Sequence, residues 1–271
     1  MLSVMLNELN YDKTFAADCV CMLGTSTGVS SGAAAAFEND FGEKARATLY
    51  DAGLQLDSMR DAEWESALDA ARKFGSRQIV LSAGHSCDTG RDEAPWCDTL
   101  GRLNRASAAS GIELLITNRR RFIKTLPVSA EKLMRLTTRC EVRIAYDFGF
   151  AHAYGTALEN LYDLMHNTAV ICLNDNFGMQ ADDKTADWIN GEIMYTDERK
   201  QPGYGDAPFV GMAEAMRSED LDIPLYINGA RQGDADLKTL LTETKVILSG
   251  KVFLSPAQAR IGRNEHGRII L

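Results

Sequence analysis

The side chains best placed for chemistry are carboxylates and amides that directly follow short apolar runs. Asp147 ends an apolar run at residues 142–146, and the tripeptide Asn-Asp-Asn at 174–176 ends a second run at 169–173. Short apolar runs of this kind predict buried strands. In parallel α/β folds the loops after the strands converge and handle ligands, while the strands hold these loops rigid. The polar residues at both strand ends are therefore candidates for a functional site.

The segment that joins the two runs predicts a helix. Thr156 and Glu159 have the spacing of a capping box. Apolar residues follow at 158, 161, 162 and 165, and this spacing predicts one apolar stripe that faces the sheet. Residues 141–182 thus predict a strand–helix–strand unit that positions the candidate residues.

The same alternation extends along most of the chain. Seven strands are predicted, at residues 19–23, 54–59, 78–85, 111–118, 142–147, 169–173 and 223–229. The N-terminal residues supply an eighth strand only if they are extended. Eight strand–helix units with short connections close into a (β/α)8 TIM barrel, for which 271 residues is an ordinary length. The interval between Met5 and Cys19 is short for a full helix, so an abbreviated first βα unit is expected.

Further predictions concern residues 24–52 and the end of the chain. Residues 24–32 are interpreted as a mobile polar loop, and a phosphate-binding loop is the weaker alternative because the sequence lacks a Gly-Lys-Ser/Thr ending. Residues 33–52 predict a helix that Gly53 stops. The chain, 1–271, is interpreted as one barrel domain with an irregular tail from about residue 250.

Composition and charge limit the classes of partner. A net charge of −9 argues against a nucleic-acid partner, because phosphate binding needs clustered Lys and Arg side chains. The six cysteines lack the spacing of a zinc site. No apolar stretch is long enough to cross a bilayer, and polar residues at 7–10 interrupt any signal peptide. We therefore expect a cytoplasmic protein that binds neither nucleic acid nor membrane.

Three motifs, taken in order along the chain, resemble those of one known family. They are Gly-Ile-Glu-Leu-Leu-Ile-Thr-Asn at 111–118, Tyr-Asp-Phe-Gly-Phe-Ala at 146–151, and Asn-Asp-Asn-Phe-Gly at 174–178, the last followed by Pro-Gly-Tyr-Gly-Asp at 202–206. Over most of residues 54–229 the chain resembles the xylose-isomerase-like TIM barrels. This superfamily contains sugar-phosphate isomerases and epimerases, together with DNA-repair enzymes of the endonuclease IV type. The resemblance implies a ligand site at the barrel mouth.

The resemblance also shows which metal ligands have been replaced. Family enzymes typically hold a divalent metal with strand-end Glu, Asp, His and Glu, and the corresponding positions here are Thr117, Asp147, Asn174 and Asn228. Two positions at which the family has histidine are Ser82 and Phe150. Neutral oxygens supply no charge to offset the dehydration of a cation. We therefore expect a degenerate metal site and no cofactor, with bound Mn²⁺ or Mg²⁺ as the weaker alternative.

The resemblance gives the candidate residues their expected roles. The predicted acid/base carboxylates are Asp147 and Asp175. The predicted substrate-binding residues are Asn118, Asn174, Asn176, Asn228, His85 and Lys184. Amides suit the recognition of hydroxyl groups because each offers donors and an acceptor. The structural alternatives are turn capping for the asparagines and, for Asp147, a helix N-cap or a salt bridge to a neighbouring loop lysine.

Two functions remain open at this point. The first is an isomerase or epimerase that acts on a small sugar, polyol or sugar phosphate by proton transfer next to a carbonyl group. The second is a non-catalytic carbohydrate-binding or regulatory barrel that has lost the metal. A nuclease is excluded, because the chain has four histidines and none is at an expected position. The long segment 179–204 is interpreted as a lid or a partner surface, and a homodimer is an open alternative.

Overall fold

The computed structural model describes residues 1–83, 94–119, 128–178, 186–189, 192–195 and 197–250, with the backbone alone at 186–189 and 192–195. The strands are β1 (Leu2–Leu6), β2 (Gly28–Ser30), β3 (Leu49–Gln55), β4 (Gln78–Ser82), β5 (Glu113–Thr117), β6 (Arg143–Asp147), β7 (Thr168–Leu173), β8 (Ala186–Ile189), β9 (Glu192–Tyr195) and β10 (Leu225–Ile227). The helices are α1 (Lys13–Met22), α2 (Ser31–Phe41), α3 (Asp61–Lys73), α4 (Ala94–Ala108), α5 (Ala130–Cys140), α6 (Phe148–His152), α7 (Ala157–Leu164), α8 (Phe209–Ser218) and α9 (Leu237–Leu248).

Eight of these strands close into a barrel in the order β1–β10–β7–β6–β5–β4–β3–β2. Every neighbouring pair in the ring is parallel. From β1 to β7 each strand lies beside the next strand of the chain, and β10 closes the ring between β7 and β1. The remaining two strands, β8 and β9, pair antiparallel in a separate hairpin inserted after β7. The predicted (β/α)8 TIM barrel is confirmed.

Two apolar layers hold the barrel together. Strand residues form an interior cluster of Met5, Leu49, Val80, Leu115, Ala145, Ala169, Val170 and Tyr226. Their strand neighbours, such as Ile79 and Leu81, belong to the larger cluster shared with the helices. Gly28 leaves space for the interior side chains, because a Cβ there would lie 2.9 Å from Met5 Sδ. The apolar layers end before the carboxyl ends of the strands, where the buried residues become polar.

The prediction of a strand at residues 19–23 is wrong, because this segment belongs to α1. Asp12 caps the helix by accepting hydrogen bonds from the N–H groups of Thr14 and Phe15. Cys19 is buried on the inner face while Cys21 is exposed. A run of five mostly apolar residues fits a helix as well as a strand when only one face is buried. The first βα unit therefore contains a ten-residue helix and is not abbreviated.

The next unit is also displaced from its prediction. The segment 24–32, interpreted as a mobile loop, contains the fully buried strand β2 and the start of α2. The helix predicted at 33–52 ends at Phe41, because Gly42 adopts a φ of +52° and the chain then enters β3. The strand predicted at 54–59 accordingly begins five residues earlier, at Leu49. Its first residues, Leu49 to Ala52, are all buried.

The central strand–helix–strand unit is confirmed in outline and corrected in detail. Both strands, β6 and β7, begin and end within a few residues of the predicted runs. Thr156 precedes the helix α7 but forms no capping hydrogen bond, since its hydroxyl donates to the carbonyl of Ala151. Tyr162 is 55% exposed, so the buried stripe consists of Ala157, Leu161 and Leu164.

The last described element is α9, which Asp236 caps by accepting a hydrogen bond from Thr239 N. The irregular tail predicted from about residue 250 lies outside the described residues. Among the helices of the described residues, none has both the length and the apolar character needed to traverse a bilayer.

Candidate functional site

A cavity of about 570 Å³ opens at the carboxyl ends of the barrel strands. Its floor and walls carry several charged side chains, among them Glu8, Asp51, Arg119, Asp197, Glu198 and Arg199. Asp51 lies on β3, and Arg119 follows β5. The last three directly precede Lys200, which forms a backbone bridge with Asp175 just after β7. The barrel therefore gathers into one cavity charged groups that are far apart along the chain.

Arg119 is held between two carboxylates at this mouth. Its Nη2 donates to Asp51 Oδ2, and its Nη1 lies 3.8 Å from Asp147 Oδ2. The three side chains are 20%, 10% and 2% exposed, respectively. Burial by itself would lower the pKa of Arg119, but the charges of Asp51 and Asp147 outweigh burial and raise it. Arg119 is thus a permanent positive charge.

A local distortion of β3 aims Asp51 at this arginine. The register between β3 and β4 shifts between Asp51 and Gln55, and Gly53 adopts a φ of +63°. A residue without a Cβ adopts this φ at little cost, so glycine permits the bulge. The bulge turns Gly53 N toward Asp51 Oδ1, to which it donates a hydrogen bond of 3.0 Å. One oxygen of Asp51 is thereby held by the backbone, and the other accepts the hydrogen bond from Arg119.

Asp147 is almost completely buried, and its two oxygens have different surroundings. Oδ1 accepts hydrogen bonds from Phe150 N and from Asn174 Nδ2, both at 3.0 Å. Oδ2 has no hydrogen-bond partner among the described residues and faces Arg119. The helix N-cap proposed for Asp147 is therefore present, and its ion-pair partner is Arg119 rather than a loop lysine.

Asn118 and Asn174 hold Asp147 in position, the first through its backbone and the second through its side chain. Asn118 exchanges two hydrogen bonds with the backbone of Asp147, since Nδ2 donates to the carbonyl at 2.9 Å and Oδ1 accepts from N at 2.7 Å. Asn174 packs against Gly149, where any Cβ would overlap its side-chain and backbone oxygens. Glycine at 149 is therefore required for the contact between Asn174 and Asp147.

Asn176 connects the same region to a further carboxylate that the sequence analysis missed. Its Nδ2 donates to the carbonyl of Gly149 at 2.8 Å and to Asp197 Oδ1 at 3.0 Å. Asp197 Oδ1 also accepts from Arg199 N at 3.1 Å. Burial, followed by the negative charge of Asp147, raises the pKa of Asp197 to about 7. Asp197 is thus a cavity-lining carboxyl group that changes its charge near neutral pH.

Asn228 lies at the same rim, directly after β10, within a second polar cluster. Its Oδ1 accepts from Asn7 Nδ2 and from Arg199 Nη2, both at 2.9 Å. Arg199 in turn lies 3.6 Å from Glu8. Four predicted substrate-binding asparagines, Asn118, Asn174, Asn176 and Asn228, thus reach the barrel mouth with protein partners already bound. Recognition of hydroxyl groups by them stays a prediction.

Asp175 points away from the cavity into the following loop. Its Oδ1 accepts from Asn176 N at 2.9 Å and Ala207 N at 3.0 Å. Its Oδ2 accepts from Gly203 N at 2.7 Å and Gly205 N at 2.9 Å. Burial raises the pKa of Asp175, although these four backbone donors oppose the effect. The geometry gives this carboxylate a structural role in the loop, so we propose no catalytic role for it.

Two predicted substrate-binding residues, His85 and Lys184, lie outside the described residues. The segment 179–204 is described in part, as the hairpin of β8 and β9 and from residue 197 onward.

The charged cavity residues that the sequence analysis missed are Glu8, Asp51, Asp197, Glu198 and Arg199. Asp51 lies inside a segment predicted as helix, and Asp197 and Arg199 lie inside a long segment interpreted only as a lid or partner surface. Arg119 carries a usable signal, because it directly follows Asn118 at the end of a correctly predicted strand.

The residues at the family's metal positions do not fit a divalent cation. The barrel does bring Thr117, Asp147, Asn174 and Asn228 to the ends of adjacent strands. Only one of them is a carboxylate, and the Arg119 guanidinium approaches it at 3.8 Å. Among the residues that the structure describes, no three His, Cys, Asp or Glu side chains are grouped to hold a metal ion. Coordination by this set would leave a cation with too little negative charge.

The fold and the site define a class of protein, the (β/α)8 barrels whose polar residues gather at the carboxyl ends of the strands. A family model described as the xylose isomerase-like TIM barrel matches residues 48–242, and the chain belongs to this family. No curated protein matches the chain in sequence.

Several solved structures share the fold over nearly their whole length. The apo form of the 3-keto-D-glucoside 4-epimerase YcjR from E. coli has a TM-score of 0.63 and 13% identity, covering 92% of this chain and 98% of that one. A xylose isomerase domain protein from Planctomyces limnophilus has a TM-score of 0.65 and 15% identity, covering 92% and 95%. The IOLI protein, solved with a zinc atom, has a TM-score of 0.63 and 12% identity, covering 93% and 100%. At these identities the likeness shows the fold alone.

Proposed function

We propose that this protein is an isomerase or epimerase of a small sugar or polyol, and that it moves a proton on a carbon next to a carbonyl group. One observation carries the proposal: a buried carboxyl group with a pKa of about 7, that of Asp197, lines the same cavity as the permanent positive charge of Arg119. A general base is most effective when its pKa lies near the working pH. The structural neighbour YcjR, named as an epimerase of a keto-glucoside, supports the same reaction class.

The sequence predicts an acid/base role for Asp147, but we assign this role to Asp197. Asp147 is 1% exposed, and one of its oxygens is fully engaged by Phe150 N and Asn174. Its charge nevertheless acts on the site, because it raises the pKa of Asp197 and helps to fix Arg119. Asp147 is therefore a positioning residue, and Asp197 is the group that carries the proton.

The charge of the cavity favours a neutral sugar over its phosphate. Among the described lining residues, the carboxylates of Glu8, Asp51, Asp197 and Glu198 outnumber the guanidinium groups of Arg119 and Arg199. Each guanidinium is already opposed by a carboxylate of this set. A phosphate monoester would bring up to two further negative charges into an acidic cavity. We therefore propose an unphosphorylated ketose or aldose as the substrate class.

The experiment that tests the proposal is solvent hydrogen exchange. The protein is incubated in D2O with D-fructose, D-glucose or a 3-keto-D-glucoside, and NMR follows the loss of the C–H signals next to the carbonyl carbon. We expect exchange by the wild type and its loss in Asp197→Asn, which keeps the shape of the side chain. Asp163→Asn, on the exposed side of α7, is the matched control and should exchange normally. Equal exchange in Asp197→Asn would refute the assigned role.

One observation favours the second function, a non-catalytic sugar-binding barrel. Each of the two asparagines at the family's ligand positions has one polar atom bonded to the protein itself, since Asn174 Nδ2 donates to Asp147 and Asn228 Oδ1 accepts from Asn7. Such a site keeps its shape without a metal and without turnover. Isothermal titration with the same sugars separates the two functions, because binding that is unaccompanied by any exchange in the wild type would select the binding protein.

A further inference from the structure

We infer that Arg119 takes the place of a divalent cation in this barrel, and that its guanidinium group receives the carbonyl oxygen of the substrate. The identity of that oxygen rests on the proposed function, whereas the replacement of the cation by an arginine does not. The observation behind the replacement is the mismatch between the family's metal positions and the side chains that occupy them here.

The location of the guanidinium supports the replacement. Arg119 comes two residues after Thr117, one of the four metal positions, and its Nη1 faces Oδ2 of Asp147, the single carboxylate left at those positions. This oxygen has no hydrogen-bond partner among the described residues. Asp51, on the other side, accepts from Nη2. The guanidinium group thus lies beside Oδ2 of Asp147, the one carboxylate at the metal positions, and it supplies a positive charge there.

The chemistry of arginine suits the role. A guanidinium has five N–H donors in a fixed planar arrangement and does not lose its proton in proteins. Among the described residues, the carboxylates that pair with its guanidinium are Asp51, by a hydrogen bond, and Asp147, beyond hydrogen-bond distance. Donors therefore remain for an oxygen in the cavity that Arg119 lines. Because it stays charged, the group can stabilise negative charge on that oxygen without taking part in the proton transfer.

The resulting reaction needs no metal or redox partner. The Asp197 carboxylate takes the proton from the carbon next to the carbonyl group, and the C–H electron pair forms a carbon–carbon double bond. The carbonyl π electrons move to the oxygen, which becomes an enolate hydrogen-bonded to Arg119. The isomer forms when Asp197 returns the proton to the former carbonyl carbon and the proton of the neighbouring hydroxyl group moves to the enolate oxygen. Return of a solvent-exchanged proton to the original carbon gives the labelled substrate.

Metal titration tests the replacement without reference to turnover. The wild type and Arg119→Gln, both treated with EDTA, are titrated with Mn²⁺ by calorimetry, and Arg102→Gln, a surface ion-pair residue of α4, serves as the control. We expect the wild type and Arg102→Gln to bind Mn²⁺ no more tightly than about 1 mM. Arg119→Gln leaves Asp51 and Asp147 without their cation, so its affinity for Mn²⁺ should increase about tenfold or more.

Tight binding of one Mn²⁺ ion by the wild type, lost in Asp147→Ala, would overturn the inference. The inference would also fail if Arg119→Gln were folded, as judged by circular dichroism, and gained no affinity. Should that variant fail to fold on its own, it is refolded with and without Mn²⁺, because an ion bound by Asp51 and Asp147 would stabilise the folded state. Recovery of the helical circular dichroism only with Mn²⁺ would support the replacement, and refolding that Mn²⁺ does not change would overturn it.

The substrate part of the inference has its own readout. In the exchange experiment Arg119→Gln should lower the rate constant at saturating sugar about 10²–10³-fold, as the loss of an oxyanion donor does. Arg119→Lys, which keeps the charge, should recover part of it. If no sugar exchanges with the wild type, the proposed function fails while the metal result still decides the replacement. If the wild type exchanges and Arg119→Gln exchanges equally well, the assigned carbonyl contact is wrong.

Discussion

The raised pKa of Asp197 leads to a quantitative prediction for the free energy of unfolding and its dependence on pH. The group is 8% exposed, and its pKa rises from an ordinary value of 3.8 to about 7 in the folded protein. A carboxyl group with a raised pKa favours folding most at low pH, where it is neutral in both states. Its contribution is lost as the pH rises from 3.8 to about 7, because the unfolded chain then ionises more readily. At 1.36 kcal/mol per pKa unit, the full loss is about 4 kcal/mol.

Asp197→Asn removes this pH dependence while preserving the local hydrogen bonds. An asparagine oxygen can still accept from Asn176 Nδ2 and Arg199 N. The variant should therefore be more stable than the wild type at pH 8, and its advantage should grow between pH 5 and pH 8 by about 2.5 kcal/mol. The gain in stability should accompany the loss of hydrogen exchange on the sugar.

Urea unfolding of both proteins, followed by circular dichroism at several pH values, measures the difference. The exposed substitution Asp163→Asn should give a difference from the wild type that is constant with pH. A constant difference for Asp197→Asn as well would refute the reasoning, because it would mean that this carboxyl group titrates normally in the folded protein.

Three further results are expected. In Asp175→Asn the N–H groups of Gly203 and Gly205 lose the charged oxygen to which they donate hydrogen bonds. The substitution should therefore lower the free energy of unfolding, measured by urea denaturation, by about 2–4 kcal/mol. Gly149→Ala should destabilise the protein by about 3 kcal/mol or more, since its Cβ overlaps both oxygens of Asn174; a change in melting temperature within error of zero would contradict this. In competition experiments a neutral ketose should displace a bound sugar at a lower concentration than its phosphate ester does, and the reverse order would contradict the acidic lining.

The strands near the site can be predicted from sequence because their signals are local. The strands β5, β6 and β7 are largely apolar runs, and a buried parallel strand needs no other pattern. The polar residue directly after such a run lies at the barrel mouth, because the carboxyl ends of all the parallel strands lie at the same face of the barrel. Asp147 and Asn174 are identified in this way, and they are in contact.

The first third of the barrel cannot be predicted in the same way. The segment at 19–23 buries only one face, and β2 has three residues, so neither gives a clear periodicity. Asp51 is missed with this region, because the bulge at Gly53 that turns it toward Arg119 depends on pairing with β4. Asp197 is missed for a different reason, since nothing in a polar segment indicates which carboxylate is buried. Burial by the rest of the barrel raises its pKa.

The proposed mechanism depends on a single carboxyl group that carries a proton in the barrel mouth near neutral pH. A ¹³C NMR titration of the protein labelled at its aspartate carboxyl carbons tests this claim directly, with Asp197→Asn used to assign the signal. We predict an apparent pKa of about 7 for Asp197, lowered in Asp147→Asn because the neighbouring negative charge is gone. Titration of the assigned signal near pH 4, unchanged by Asp147→Asn, would contradict the mechanism.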